Sequence, residues 1–506
     1  MRHPRTSKCF ESTTVGSHDF VRQYGLWTDD QYEAARCLEA QLEDLDFVRL
    51  VFCDPHGLAR SKMLTAEAFR VVLRNGMDFS PGPFIFDTAH TIPFDIFAEG
   101  AELGVPELTG AGDFLLVPDP LTFRELPYTS ARTGWVIGDE YLRDGLPHPL
   151  SGRAALRRLT NDLGDLDREF TVGLEVEWYL TKRTSDTQLA SVGRFGTPGE
   201  PPCVNPVNTG YQFNHDGYID ALEPVLHPLS QFLLTLDLPL RTIEHESGPG
   251  QLEFTFAPLE GLAAADAMLL FRTVTKQVCA RLGYHASFMA VPPFPGFDTS
   301  GWHLHQSLAE KSSRRNTFVD TTGRNPLSDE GMSYLAGIIE NASAATVMCV
   351  STLNGYRRLG EQNTLSPDRI GWAVENRGAF LRVLGGFGAA STHIENRIGE
   401  PCANPYLYLA SQLAAGLDGV RRGALPPPQI DDPHSARASE LPRDLATALC
   451  FFEASDLYKR TLGDPLSRLL INLKNSELER YRIWTKTCEE EMGNLDWDKR
   501  EYFANY

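Results

Sequence analysis

The chain has 506 residues and a net charge of −20, with 42% apolar and 23% charged residues. That length allows two or more domains with a sizeable core, and the acidic balance argues against nucleic acid as a partner. No apolar run reaches the length of a membrane span, so no membrane partner is expected.

The opening stretch MRHPRTSKCFESTTVGS lacks the apolar core of a secretory signal. Residues 1–28 read as a loosely ordered extension. The nine cysteines are odd in number and form no CxxC pair. Reduced thiols in a cytoplasm fit best. Asp29 to Asp44 reads as a surface helix, Phe47 to Cys53 as a strand, and Asp54-Pro55-His56-Gly57 as its turn. Thr65 to Asn75 is a predicted helix capped by Thr65 and ended by Gly76. Pro81 to Pro93 is an apolar loop or short strand carrying Asp87, and Asp113 to Pro120 is another strand. Together residues 29–140 suggest a small α+β domain.

The Pro- and Gly-rich 123–150 stretch reads as a linker, and Thr184 to Tyr211 as an insertion or flap. Helices are predicted at Pro149–Leu163, Tyr218–Leu236, Ala263–Leu282, Asp329–Met348, Asn404–Arg421, Leu445–Leu462 and Ser476–Glu491. The Gly385-Gly386-Phe387-Gly388 run lacks the spacing of a dinucleotide fingerprint.

Four stretches share one device. In TVGLEVEWYL (171–180), Leu174, Val176 and Trp178 fall on one face, Glu175 and Glu177 on the other. Two such carboxylates lie about 6–7 Å apart. Gln251 to Phe256 sets Gln251, Glu253 and Thr255 opposite Leu252, Phe254 and Phe256. Trp302 to Leu308 puts His303, His305 and Ser307 on one face. His393 to Ile398 sets His393, Glu395 and Arg397 opposite Ile394, Asn396 and Ile398. With Glu246, the fronts offer five carboxylates and three imidazoles but no thiolate. This set suits one or two hard divalent cations with an acidic substrate and argues against structural zinc. Arg358, Arg377, Arg382 and Arg397 could clamp phosphates and a carboxylate. Each alone reads more simply as a surface salt-bridge partner. Carboxylate-held metals facing arginines suit phosphoryl transfer, while P-loop and kinase signatures are absent.

These motifs resemble the glutamine synthetase family. GLEVEW at 173–178, HESGPGQLE at 245–253, SGWHLHQSL at 300–308, NGYRRL at 354–359, ENRGAFLR at 375–382 and IENR with ANPY at 394–406 appear in the family's order. The resemblance runs from about Phe47 to the end. It implies an α+β fold: an N-terminal β-grasp domain over 29–140, then a catalytic domain over 141–506 with a curved antiparallel sheet funnel flanked by helices. It also implies a homo-oligomer of stacked rings, a dodecamer foremost, with active sites between subunits.

The implied cofactors are ATP and two or three Mg²⁺ or Mn²⁺. Position by position, Glu177, Glu246 and Glu253 match the ligands of one metal, and Glu175, His303 and Glu395 those of a second. Arg358 and Arg397 match residues that bind L-glutamate. Arg377 matches the arginine that stabilises the phosphoryl group in transfer. His305, Ser307 and Arg382 match contacts to the nucleotide. Asp87 falls where the family has an aspartate that helps deprotonate the amine in a neighbour's site. The implied chemistry is phosphorylation of the γ-carboxylate of glutamate by ATP, then attack by an amine.

The departures are informative. The glutamate that forms the family's ammonium site falls at Thr364 or Leu365, with Glu361 nearby but out of register. The asparagine-glycine pair before the first histidine appears as Asp298-Thr299, and an arginine before the metal glutamate as His393. No tyrosine follows Arg422 where some bacterial members are adenylylated. Loss of the ammonium-site acid favours a γ-glutamyl-amide ligase acting on an organic amine. The apolar residues Phe84-Ile85-Phe86, Ile92-Pro93-Phe94 and Thr364-Leu365 would suit an aromatic amine such as aniline. The phenylalanines read equally well as domain core. Glutamine synthetase using ammonia, ligation of a polyamine, ethanolamine or alkylamine, and a non-catalytic ring protein are the alternatives.

Overall fold

A computed structural model describes residues 19–164, 166–184, 192–360, 365–435, 437–487 and 490–506. The sequence builds two sheets. In the first, the Phe47–Cys53 strand pairs antiparallel with Ala59–Thr65 and parallel with Thr133–Tyr141. Phe114–Pro118 and Met77–Phe79 extend the sheet beyond Thr133–Tyr141. The Ala66–Asn75 helix buries Phe69 and Leu73. Thr65 caps it by accepting from the Ala68 N–H, and Gly76 ends it with φ +67°. The mixed α+β character expected for this part is present.

The 123–150 stretch is not a linker. It holds Thr133–Tyr141, buried along its whole length in the middle of the first sheet. Its glycines suggest flexibility in sequence, yet they serve close packing. A Cβ on Gly134 would lie 2.4 Å from the Phe123 ring, and one on Gly138 2.6 Å from Leu116. Asp139 of this strand and Asp119 pair with Arg153, which reaches Asp266 on the Gly261–Arg281 helix at 2.7 Å. Arg153 is buried, so these carboxylates supply the compensation that an interior charge requires.

The second sheet has ten strands among the described residues, organised around Arg168–Arg183. Trp302–Glu310 and Gln251–Phe256 flank it antiparallel. His393–Asn396 and Leu381–Leu384 continue one side, and Leu240–His245 the other. The apolar backs are buried: Val176, Trp178, Leu252, Phe254, Trp302, Leu304 and Ile394 are all 0% exposed. The Gly261–Arg281, Asp329–Cys349 and Pro405–Arg422 helices close the back layer.

The other helices lie close to expectation, with two corrections. Leu445–Leu462 divides into Leu445–Ala454 and Asp456–Leu462, because Ser455 turns extended and caps the second helix. The helix expected at Ser476–Glu491 begins earlier and runs from Asp464 to Thr485, with a separate Glu490–Glu501 helix after it. Among the described residues, no helix is long and apolar enough to cross a membrane.

Candidate active site

Strand register lays the ionisable front residues in one band. Arg382 lies opposite Glu395, and Glu395 opposite His305. His303 lies opposite Glu175. Glu177 lies opposite Glu253, and Glu253 opposite Glu244. Carboxylates facing each other across adjacent strands repel, so this arrangement calls for cations.

The front divides electrostatically. His303 Nδ1 lies 2.6 Å from Glu175 and 3.6 Å from Glu395, while its Nε2 lies 3.9 Å from Glu177. His305 Nε2 lies 3.0 Å from Glu175, and its Nδ1 lies 2.9 Å from His393 Nε2. Glu395 pairs with Arg397 and, at 3.2 Å, with Arg382. Burial opposes ionisation of Glu175 and Glu395. The electrostatic pull and hydrogen bonds of the His303 and His305 rings, with Arg397 at Glu395, outweigh it and hold both carboxyls below their ordinary range, while burial and Arg397 lower the His303 imidazole itself.

The other half lacks that support. Burial, then the Glu246 charge, pushes Glu177 up to about 8. Burial, then Glu244, pushes Glu246 up to about 7. Burial, followed by the surrounding carboxylates, raises Glu253 as well. Glu253 is 9% exposed. Among the described residues it accepts no hydrogen bond and makes no ion pair. An orphaned buried carboxylate among carboxylates fits a divalent-cation site. Three groups bring ligand atoms within 4.8 Å of one another: Glu175/His303/Glu395, Glu177/Glu253/His303 and Glu244/Glu246/Glu253. The site's chemistry is hard oxygen plus one imidazole.

A sign follows for pH. The raised carboxyls hold protons below pH 7–8 that a cation must displace. The stabilisation by Mg²⁺, read as Tm with the ion minus Tm with chelator, is therefore expected to grow from pH 5.5 to pH 8. A gain of about 3 °C or more would be resolvable by calorimetry. A difference that is flat or falls with pH would remove these carboxylates from the cation site.

Next to the band is a cavity of about 600 Å³ lined by Glu175, Glu244, His305, Ser307 and His393 among others. His305 and Ser307, expected from the resemblance as nucleotide contacts, thus line one cavity, and Arg382 adjoins them through Glu395. Gln251 fixes the opposite end. Its Nε2 donates to Glu177 at 2.9 Å and to the Thr299 carbonyl at 2.9 Å, while its Oε1 accepts from the Gly248 N–H.

Three expected site residues stand differently. Arg358 is buried and directs its guanidinium to the carbonyls of Arg397, Ile398 and Gly399 at 3.0–3.4 Å. It therefore holds the segment carrying Arg397. Arg377 is exposed and, among the described residues, has no partner. Asp87, expected to act in a neighbour's site, lies apart from the others within this one chain. It is 1% exposed. Its carboxylate accepts from Ser476 at 2.7 Å, Arg480 at 2.8 Å and the N–H groups of Ala89 and Thr91. Burial opposes its ionisation, but Arg480 and these donors hold its carboxyl below the usual range. Phe84 and Ile85, offered as pocket lining, are core, with Phe84 against Phe52, Phe114 and His148. Phe86 is half-buried against His90 and Phe195. Leu365 is exposed. Glu361 and Thr364 lie outside the described residues, as does 185–191 of the expected flap.

Residues 149–492 match the model of the glutamine synthetase catalytic domain. Along 96% of this chain and 98% of the relative, the sequence is 39% identical to γ-glutamylanilide synthase of Acinetobacter sp. The chain belongs to the glutamine synthetase family. As a member it is an ATP-dependent carbon–nitrogen ligase. A glutamine synthetase of Staphylococcus aureus is 28% identical over 92% of this chain and 97% of that protein. The structure of a GmaS/ADP complex superposes with a TM-score of 0.73 at 25% identity, covering 92% of this chain and 98% of the other. The curved sheet with its helical back is therefore the family's fold.

Glu244 was not singled out from the sequence. The signal was available: in LRTIEHE (240–246), Thr242, Glu244 and Glu246 alternate with Ile243 and His245, the same period of two that reveals the other four fronts.

Proposed function

We propose that this chain joins the γ-carboxylate of L-glutamate to an aromatic amine such as aniline, through γ-glutamyl phosphate. The observation that carries the reading is the 39% identity to γ-glutamylanilide synthase along 96% of the chain. Bound Mg²⁺ or Mn²⁺ ions, two or three, held by Glu175/His303/Glu395 and Glu177/Glu246/Glu253, supply the charge neutralisation that lets a carboxylate approach a phosphate. Arg397, set by Glu395 and by the Arg358 clamp on its segment, holds a glutamate carboxylate. Arg377 stabilises the phosphoryl group in transfer. His305, Ser307 and Arg382 hold the nucleotide.

A γ-carboxylate oxygen takes the γ-phosphoryl group of ATP and ADP leaves. The amine nitrogen then attacks the carbonyl carbon, phosphate departs and the nitrogen gives up one proton. An arylamine is uncharged at pH 7 and needs no carboxylate to bind it as a cation or deprotonate it before attack. That agrees with an Asp87 committed to Arg480. The reading includes a ring-stacked homo-oligomer in the cytoplasm, supported by free thiols at all seven described cysteines.

The test is glutamate- and Mg²⁺-dependent phosphate release from ATP with aniline, ethylamine, ethanolamine, putrescine and ammonia in parallel. Aniline is expected to give kcat/KM at least about tenfold above ammonia, a difference of about 1.4 kcal/mol in the barrier. Ammonia in the lead would favour glutamine synthetase. A charged organic amine in the lead would move the acceptor to that class.

A further inference from the structure

The carboxylate of Asp498 has no assigned role, yet it ties together two elements that border the site. It stands on the Glu490–Glu501 helix, beyond the 149–492 stretch that matches the family model. Asp498 is 1% exposed. An acid taken that far out of water needs partners. Asp498 has two on the Leu353–Gly360 helix. It accepts from Arg357 Nε at 2.6 Å and Nη2 at 3.3 Å, and from Asn354 Nδ2 at 3.0 Å. The forked pair with Arg357 fixes direction as well as distance.

Each partner leads into the site. Asn354 is itself 1% exposed, and the rest of its amide binds Val291, accepting from the N–H and donating to the carbonyl, both at 2.8 Å. Val291 opens a segment that ends at Ser300, whose N–H donates back to the Ala290 carbonyl at 2.7 Å. The Thr299 carbonyl of that segment accepts from Gln251 Nε2, which also donates to Glu177. Arg357 precedes Arg358, whose guanidinium holds the carbonyls of Arg397, Ile398 and Gly399. Arg358 also lies against Gly301, where a Cβ would be 2.6 Å from its Nη2. The Gly301 carbonyl accepts from the Glu177 N–H at 3.0 Å. One buried carboxylate therefore orients both the helix that carries Arg358 and the segment that ends beside Glu177. None of Asp498, Asn354, Arg357 and Val291 lines the 600 Å³ cavity that holds His305 and Ser307.

We propose that Asp498 is a positioning residue for L-glutamate: through Asn354 and Arg357 it sets Arg358, and with it the Arg397 that holds a glutamate carboxylate. The proposal rests on the γ-glutamyl ligase reading above. Misplacing such a support by about 1 Å costs on the order of 10²-fold. The loss falls on glutamate and spares ATP, because the network stops short of the nucleotide cavity.

The test is steady-state kinetics on full-length Asp498→Asn, with the acceptor amine that the wild type turns over fastest. The amide sets an N–H₂ donor against groups that also donate. KM for glutamate is expected to rise about tenfold while KM for ATP stays within about twofold of wild type. Asn354→Ala keeps the Asp498–Arg357 pair and breaks the link to Val291, and is expected to raise the glutamate KM as well. Asp139→Asn is the structural comparison, since this carboxylate is likewise buried and paired with Arg153 and Arg157 but belongs to the first sheet. It is expected to lower Tm and leave both KM values unchanged. KM does not depend on the fraction of enzyme that is folded, so lost stability alone does not move it. A lower Tm with unchanged glutamate KM in Asp498→Asn and Asn354→Ala would make Asp498 a structural residue and overturn the assignment, leaving the ligase reading standing. Glutamate and ATP KM rising together would overturn it too. If Asp498→Asn does not fold, Asn354→Ala decides alone. A wild type with no glutamate-dependent turnover would overturn both readings.

Discussion

Glu395→Gln is expected to lower kcat by about 10³-fold or more, and excess Mn²⁺ is not expected to restore it. Glu395 is 1% exposed and faces His303, Arg382 and Arg397 together. It is one ligand of the Glu175/His303/Glu395 group and the shared counter-charge of two arginines. Replacing the carboxylate by an amide removes a metal ligand and aims an N–H₂ donor at groups that also donate. The metal's contribution to charge stabilisation is several kcal/mol, and about 4 kcal/mol corresponds to 10³-fold. Arg397 would be left buried without its partner, so stability is expected to fall by about 3 kcal/mol. Steady-state kinetics and denaturant unfolding check the two parts separately. A variant with near-normal kcat would remove Glu395 from the cation site.

Arg377→Ala is expected to lower kcat by about 10³-fold while Tm moves by no more than about 1 °C. In cases where an arginine stabilises charge in phosphoryl transfer, the effect is 10³–10⁵-fold. Arg377 is exposed and pairs with nothing among the described residues, so truncation breaks no folded-state interaction. The contrast between a large kinetic loss and an unchanged fold separates it from Glu395. Since the guanidinium acts on transferring charge, kcat should fall more than KM for glutamate rises. Loss of stability with retained kcat would make Arg377 a structural residue.

Period-two alternation made the four ionisable fronts readable, because each strand's apolar back must face the helical layer. The Ala66–Asn75 helix was readable because Thr65 and Gly76 act within one turn of its ends. Features set by distant partners were not. The Thr133–Tyr141 strand was hidden by Gly134 and Gly138, whose use is visible only once Phe123 and Leu116 pack on them. Asp87 looked like a loop acid because Arg480 lies 393 residues further on. Arg358 carries the right charge for a substrate clamp, but its donors meet carbonyls of a segment that sequence cannot bring near. Glu244 was legible and overlooked. Its strand is short, and its back carries one aliphatic, Ile243, beside the polar His245, so the apolar back that marks the other strands is weak.

The central claim, that glutamate is activated at its γ-carboxylate and then taken by an amine, is tested most directly with L-glutamate labelled with ¹⁸O in that carboxylate. Phosphate released from ATP in the presence of aniline is expected to carry one ¹⁸O atom per molecule, with γ-glutamylanilide formed in equal amount. Unlabelled phosphate would mean that ATP is hydrolysed without passing through the acyl phosphate, and would contradict it.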